Sequence, residues 1–159
     1  MRLLRKYRFV CILSFLVIVL ITVSFYLLWV HVPFTKHKNQ VESVKQSLIA
    51  NHTWKYDHYF NVFFGDDSYY ILRVKEKGKP VYIAYNKKQK KVASYKGDSF
   101  NEEDIKNAFY NKFKVMSTYT EIGYDDEDIV YCLTYRGEDT LIYAFYRIDT
   151  GEFIKSYRI

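Results

Sequence analysis

The chain has 159 residues, 49% of them hydrophobic and 19% aromatic, with 24 lysines and arginines against 18 acidic residues for a formal net charge of +6. Four of the cations, Arg2, Arg5, Lys6 and Arg8, cluster at the start; the remaining 20 face 18 acids, a near balance that removes the compositional case for nucleic-acid binding. Only two cysteines occur, Cys11 inside an apolar run of bilayer length and Cys132 in the part beyond it, so the two are not expected to meet in an internal disulfide.

Residues 9–30 read FVCILSFLVIVLITVSFYLLWV, without a charge. As a helix this run rises about 33 Å, enough to cross a hydrocarbon core about 30 Å thick. The four preceding cations predict a cytoplasmic N-terminus and an extracytoplasmic remainder, with Tyr26 and Trp29 at the outer interface. A cleaved signal peptide would end its shorter apolar core in small residues; here the run ends in Leu27, Leu28, Trp29 and Val30, so an uncleaved anchor is expected. Residues 31–38, polar and containing Pro33, read as a short tether.

Val41, Val44, Leu48 and Ile49 recur at helical spacing opposite Glu42, Lys45 and Gln46, predicting an amphipathic helix over 39–52. Aromatic and β-branched runs at 59–64, 68–75, 79–85 and 90–95, separated by turn residues, predict antiparallel strands. Then the order repeats. Ser99, with Glu102 three residues on, reads as the capping box of a second helix with the apolar stripe Ile105, Ala108, Phe109 and Phe113. Strands are predicted at 115–123, 129–136, 140–149 and 152–158. Val81-Tyr82-Ile83-Ala84-Tyr85 lies over Ile142-Tyr143-Ala144-Phe145-Tyr146 at an offset of 61, and the last strands align at 61 or 62.

The expected fold is thus α+β: a basic N-terminus (1–8), a transmembrane anchor (9–30), the tether (31–38) and two tandem units (39–97 and 98–159), each one helix on a small antiparallel sheet. Units this small bury little surface alone, so the two are expected to share an apolar interface to which the 17 tyrosines and 12 phenylalanines contribute.

Chemistry-bearing patterns are sparse. His31, His37, His52 and His58 form no His-Glu-x-x-His, and no Cys-x-x-Cys, Gly-x-Ser-x-Gly, Ser-x-x-Lys or phosphate-binding loop occurs. The run Asp125, Asp126, Glu127 and Asp128 lacks the ligand order and central glycine of an EF-hand and reads as a solvated turn. Cys132, within an apolar strand, reads as a small buried hydrophobe. No catalytic residue, metal or cofactor is expected. Asn51-His52-Thr53 matches a glycosylation acceptor sequence, relevant only in a eukaryotic host. Lys87, Lys88, Lys90 and Lys91 crowd one hairpin tip, either as contacts for an anionic polymer or acidic partner or as charges that keep an edge soluble.

Two stretches resemble a known family. Ser68-Tyr69-Tyr70-Ile71-Leu72-Arg73-Val74 with Lys79-Pro80-Val81-Tyr82-Ile83, and the ending Tyr143-Ala144-Phe145-Tyr146-Arg147-Ile148-Asp149-Thr150-Gly151-Glu152-Phe153-Ile154-Lys155, are similar to the TseB-like cell wall elongation regulators of Gram-positive bacteria, built from two tandem PepSY-like units behind a single anchor. The resemblance implies a non-enzymatic accessory that binds and modulates a penicillin-binding transpeptidase. The residues themselves leave open a second reading, a module for wall glycan or anionic polymer that uses exposed tyrosines and the lysine hairpin.

Overall fold

The computed structural model describes residues 2–50 and 54–159. The Asn51-His52-Thr53 triplet lies outside the described residues, as do the side chains of Arg2, Arg5, Lys6 and Cys11. The chain divides into two compact parts between Ser47 and Leu48.

The first part is helical throughout. Helix α1 (Arg2–Tyr26) passes through a π-helical turn (Leu27–His31) into α2 (Val32–Ala50). Among the described residues this is the one helical run long and apolar enough to span a membrane. The segment read as a tether, residues 31–38, is helical. Pro33 cannot donate to the carbonyl four residues earlier; the π turn just before it, closed by Val32 N–H on Leu27 O, places that irregularity where the ring must fit. Of the helix predicted over 39–52, residues 39–50 are the later part of the longer α2; the last two lie outside the described residues.

The second part holds two four-stranded antiparallel meanders. β1 (Lys55–Phe64), β2 (Ser68–Glu76), β3 (Lys79–Asn86) and β4 (Lys91–Lys96) form one sheet; β5 (Tyr119–Asp125), β6 (Asp128–Arg136), β7 (Leu141–Arg147) and β8 (Phe153–Arg158) form the other. The repeat extends to its irregularities: the β3–β4 register shifts between Ala84 and Tyr85, and the β7–β8 register shifts between Phe145 and Tyr146, 61 residues later. Beyond the shift, Tyr82↔Tyr95 corresponds to Tyr143↔Tyr157, which fixes the last-strand offset at 62. β1 begins at Lys55 rather than at residue 59, because Lys55 and Tyr56 pair with Lys75 and Val74 before a bulge that the left-handed His58 accommodates. β5 begins at Tyr119 rather than at residue 115. Helix α3 (Glu102–Phe113) ends on the left-handed Lys114, and the chain rejoins the sheet where Thr118 N–H donates to Thr134 O.

The cap of α3 also differs from the predicted capping box. Asn101, not Ser99, is the N-cap: its side-chain oxygen accepts from Glu103 and Asp104 N–H at 2.8 and 3.2 Å, while Ser99 Oγ accepts instead from Tyr82 OH. The predicted stripe faces inward, with Ile105 and Phe109 fully buried and Ala108 and Phe113 packed beside them. That core draws on both sheets. Phe63, Tyr69, Ile71, Tyr82 and Ala84 from the first join Ile122, Tyr131, Leu133, Ala144 and Tyr146 from the second in one continuous cluster. On the other face of the first sheet Leu72, Val74, Val81, Ile83 and Tyr85 are buried as well, as is Leu48 at the end of α2.

Candidate functional site

Of the cations that predict orientation, Arg8 is exposed on α1. The four lysines of the β3–β4 hairpin are all exposed, and Asn86 builds the turn that presents them: its side-chain oxygen accepts from Lys88 and Lys90 N–H at 2.9 and 3.1 Å, and Gln89 takes the left-handed conformation. Lys87 pairs with Asp67 in the neighbouring β1–β2 turn and holds its carboxyl below the usual range. Lys88, Lys90 and Lys91 are exposed and form no ion pair among the described residues, although Lys96 and, to a lesser degree, Lys91, the first residue of β4, hold the Glu76 carboxyl down.

The acidic run is a tight β5–β6 turn with Asp126 and Glu127 left-handed. Lys155 reaches across from β8 to Asp125 at 2.7 Å and Asp126 at 2.9 Å. The turn is thus internally neutralised in part, and among the described residues no group of three His, Cys, Asp or Glu is placed to hold a metal.

Cys132 is 2% exposed, and burial pushes its thiol up to about 12. A thiol so shifted is inert at neutral pH. In a chain carrying Cys11→Ser, alkylation of Cys132 at pH 8 is expected to run about a thousandfold slower in the folded protein than in denaturant. Mass spectrometry after a timed iodoacetamide pulse measures it; equal rates would mean that β6 opens readily.

The residues that sequence reasoning missed lie on the seam between the sheets, where the first strand of one meets the first strand of the other. Tyr59 OH accepts from Ile122 N–H at 2.9 Å, and Asn61 Nδ2 donates to Ile122 O at 3.1 Å and to Glu121 Oε2 at 3.0 Å. These bonds satisfy part of the open edge of β5 with side chains from β1. Beside them Arg73 Nε lies 2.8 Å from Asp57 Oδ2, with Lys75 Nζ 3.1 Å from the other carboxylate oxygen. A hollow of about 310 Å³ opens here, lined by Tyr59, Arg73, Tyr82, Ser99, Glu121 and Tyr131 among others. A second, of about 560 Å³, is lined by Phe64, Tyr119, Glu121, Thr134, Arg136 and Tyr143. The one sequence signal for the seam was the 61-residue repeat, which makes β1 and β5 equivalent strands.

A row of aromatics crosses the outer part of the second sheet: Tyr119 pairs with Thr134, Thr134 with Tyr143 and Tyr143 with Tyr157. Tyr119 and Tyr157 are 56% and 53% exposed, so two phenol rings of this row stand in solvent.

No family model matches the chain, and no curated protein matches it. Among solved structures its fold is similar to that of the YpmB protein from Bacillus subtilis, with a TM-score of 0.59 at 15% sequence identity, over 74% of this chain and 96% of that one. At that identity the likeness is one of fold.

Proposed function

We propose that this chain is a membrane-anchored, non-catalytic docking domain that binds and modulates a penicillin-binding transpeptidase during wall elongation, as its resemblance to the TseB-like regulators with tandem PepSY-like units implies. The observation that carries this reading is the junction of one bilayer-length apolar helix to a body of two repeated sheets sharing one core, a body built like YpmB. An anchor of this kind raises the effective concentration of the body near other membrane proteins. Arg2, Arg5, Lys6 and Arg8 favour an extracytoplasmic placement of the sheets, on the side where wall enzymes work. Residues 39–97 and 98–159 are the two units in this reading, and Lys87, Lys88, Lys90 and Lys91 supply contacts to an acidic partner surface. Charge reversal at these four lysines is expected to weaken association and flatten its salt dependence; unchanged association removes them from the docking surface.

Photoreactive residues placed around the body of the full chain in living cells test the main reading. Capture of a penicillin-binding transpeptidase at positions confined to one face supports it. Capture of wall polymer alone, from every face, replaces it with the second reading, wall-polymer binding. That second reading draws on the exposed row containing Tyr119 and Tyr157 and on the exposed lysines of the β3–β4 hairpin. It requires that polymer sedimentation of the full chain be lost on Tyr119→Ala with Tyr157→Ala, or in excess salt.

A further inference from the structure

Four of the 18 acidic residues are half-buried: Asp57, Glu121, Asp125 and Asp149. Three of them have a cation at hand, since Asp57 meets Arg73 and Lys75, Asp125 meets Lys155, and Asp149 meets Arg147. Glu121 has none among the described residues. Among the described residues its one hydrogen-bond donor is the neutral amide of Asn61, and burial raises its carboxyl above the usual carboxylate range. Arg73, across the first hollow, is already engaged by Asp57 Oδ2 and Asp57 O. A half-buried carboxylate held by a neutral amide is complementary to a positive charge brought against it.

Glu121 also lines both hollows. Between them runs the open edge of β5, which pairs on its other side with β6. Ile122 directs its N–H and C=O outward, to Tyr59 and Asn61. Strand alternation directs Thr120 the same way, and no described residue bonds the outward backbone groups of Thr120. The edge is therefore closed at Ile122 by β1 and left open two residues earlier. Phe64 and Tyr119, 68% and 56% exposed, flank the opening with apolar surface suited to the aliphatic stem of a long side chain.

We propose that this groove takes an extended segment of a protein partner, which pairs its main chain with the outward edge of β5 at Thr120 and sets a lysine or arginine side chain on Glu121. The main-chain pairing is β-augmentation, and the charge supplies the specificity. This inference rests on the reading of the body as a protein-docking domain and gives that reading a face and a ligand chemistry.

The test uses the full chain in living cells with Tyr119 replaced by p-benzoylphenylalanine, a conservative change at an exposed ring, and with Tyr110, 46% exposed on α3, so replaced as a control position. The captured peptide is identified by mass spectrometry. At position 119 the expected product is a protein segment containing a lysine or arginine. Its yield should fall about tenfold or more on Glu121→Gln, which keeps an oxygen for Asn61 but removes the charge, while capture at position 110 is unchanged. Thr120→Pro provides an independent variant: it deletes the outward N–H and leaves the β5–β6 ladder intact, as proline on an edge strand does, and it should lower the yield likewise. Protection of Cys132 from alkylation reports that each variant is folded. Yield retained in both variants overturns the proposal, as does capture at position 119 of a saccharide, a second copy of this chain, a segment without a basic residue, or nothing. A basic segment from a protein other than a transpeptidase would uphold the groove and overturn the functional reading; a transpeptidase captured only elsewhere would do the reverse.

Discussion

Phe109→Ala is expected to lower the stability of the sheet body by about 3–5 kcal/mol, the usual cost of removing a fully buried aromatic side chain and leaving a cavity behind. Phe109 is 0% exposed, packs with its ring centroid 4.7 Å from that of Phe113 at a tilt of 47°, and lies in the cluster that takes residues from both sheets. A domain has only about 5–15 kcal/mol to lose, so the variant should be marginally folded. Urea titration of the full chain in detergent, followed by tyrosine fluorescence, measures the shift in midpoint. Phe64→Ala serves as the comparison: that ring is 68% exposed, and its removal should change the midpoint little. A Phe109→Ala midpoint within experimental error of the parent would mean that α3 does not seal the core.

The sequence made the repeated elements legible because their signals are local. Alternating aromatic and β-branched residues marked all eight strands, the 3.6-residue stripe of Ile105 and Phe109 marked the buried face of α3, and the 61-residue offset recurred even in the two register shifts. What it left hidden depends on distant partners. Ser99 satisfies the capping-box spacing, but Tyr82 claims its hydroxyl from 17 residues away, and Asn101 caps the helix instead. The stretch from Val32 to Lys38 has a tether's polarity, yet a helix entering from α1 continues through it once a π turn makes room for Pro33. Asn61, Glu121 and Tyr59 carry no motif; they become a site only because β1 and β5 meet at a separation of 60 to 63 residues. The lysine hairpin was legible as a charge cluster, but not the pairing of Lys87 with Asp67, which divides it.

Because the sheets meet through single side chains at that seam, one contact tests whether the two units fold as one body. The ring of Phe63, in β1, occupies the space beside Gly123, in β5: a Cβ at 123 would stand 2.6–2.8 Å from three of its carbons. Phe63 is only 3% exposed and cannot swing into solvent. Gly123→Ala is therefore expected to cost about 1–3 kcal/mol through overpacking, and Phe63→Ala about 3–5 kcal/mol through the cavity it leaves. The two effects share one space, so they should not add. In the double variant the new methyl enters the vacated volume, and the Gly123→Ala penalty should disappear, giving a favourable coupling of at least about 1 kcal/mol in a double-mutant cycle. Hydrogen exchange on the single variants supplies the second reading of the same contact. If the sheets share one cooperative core, Phe63→Ala lowers protection in β6 and β7 as much as in β2 and β3. Loss confined to the first sheet would show two units that fold separately, with the seam a docking contact between them.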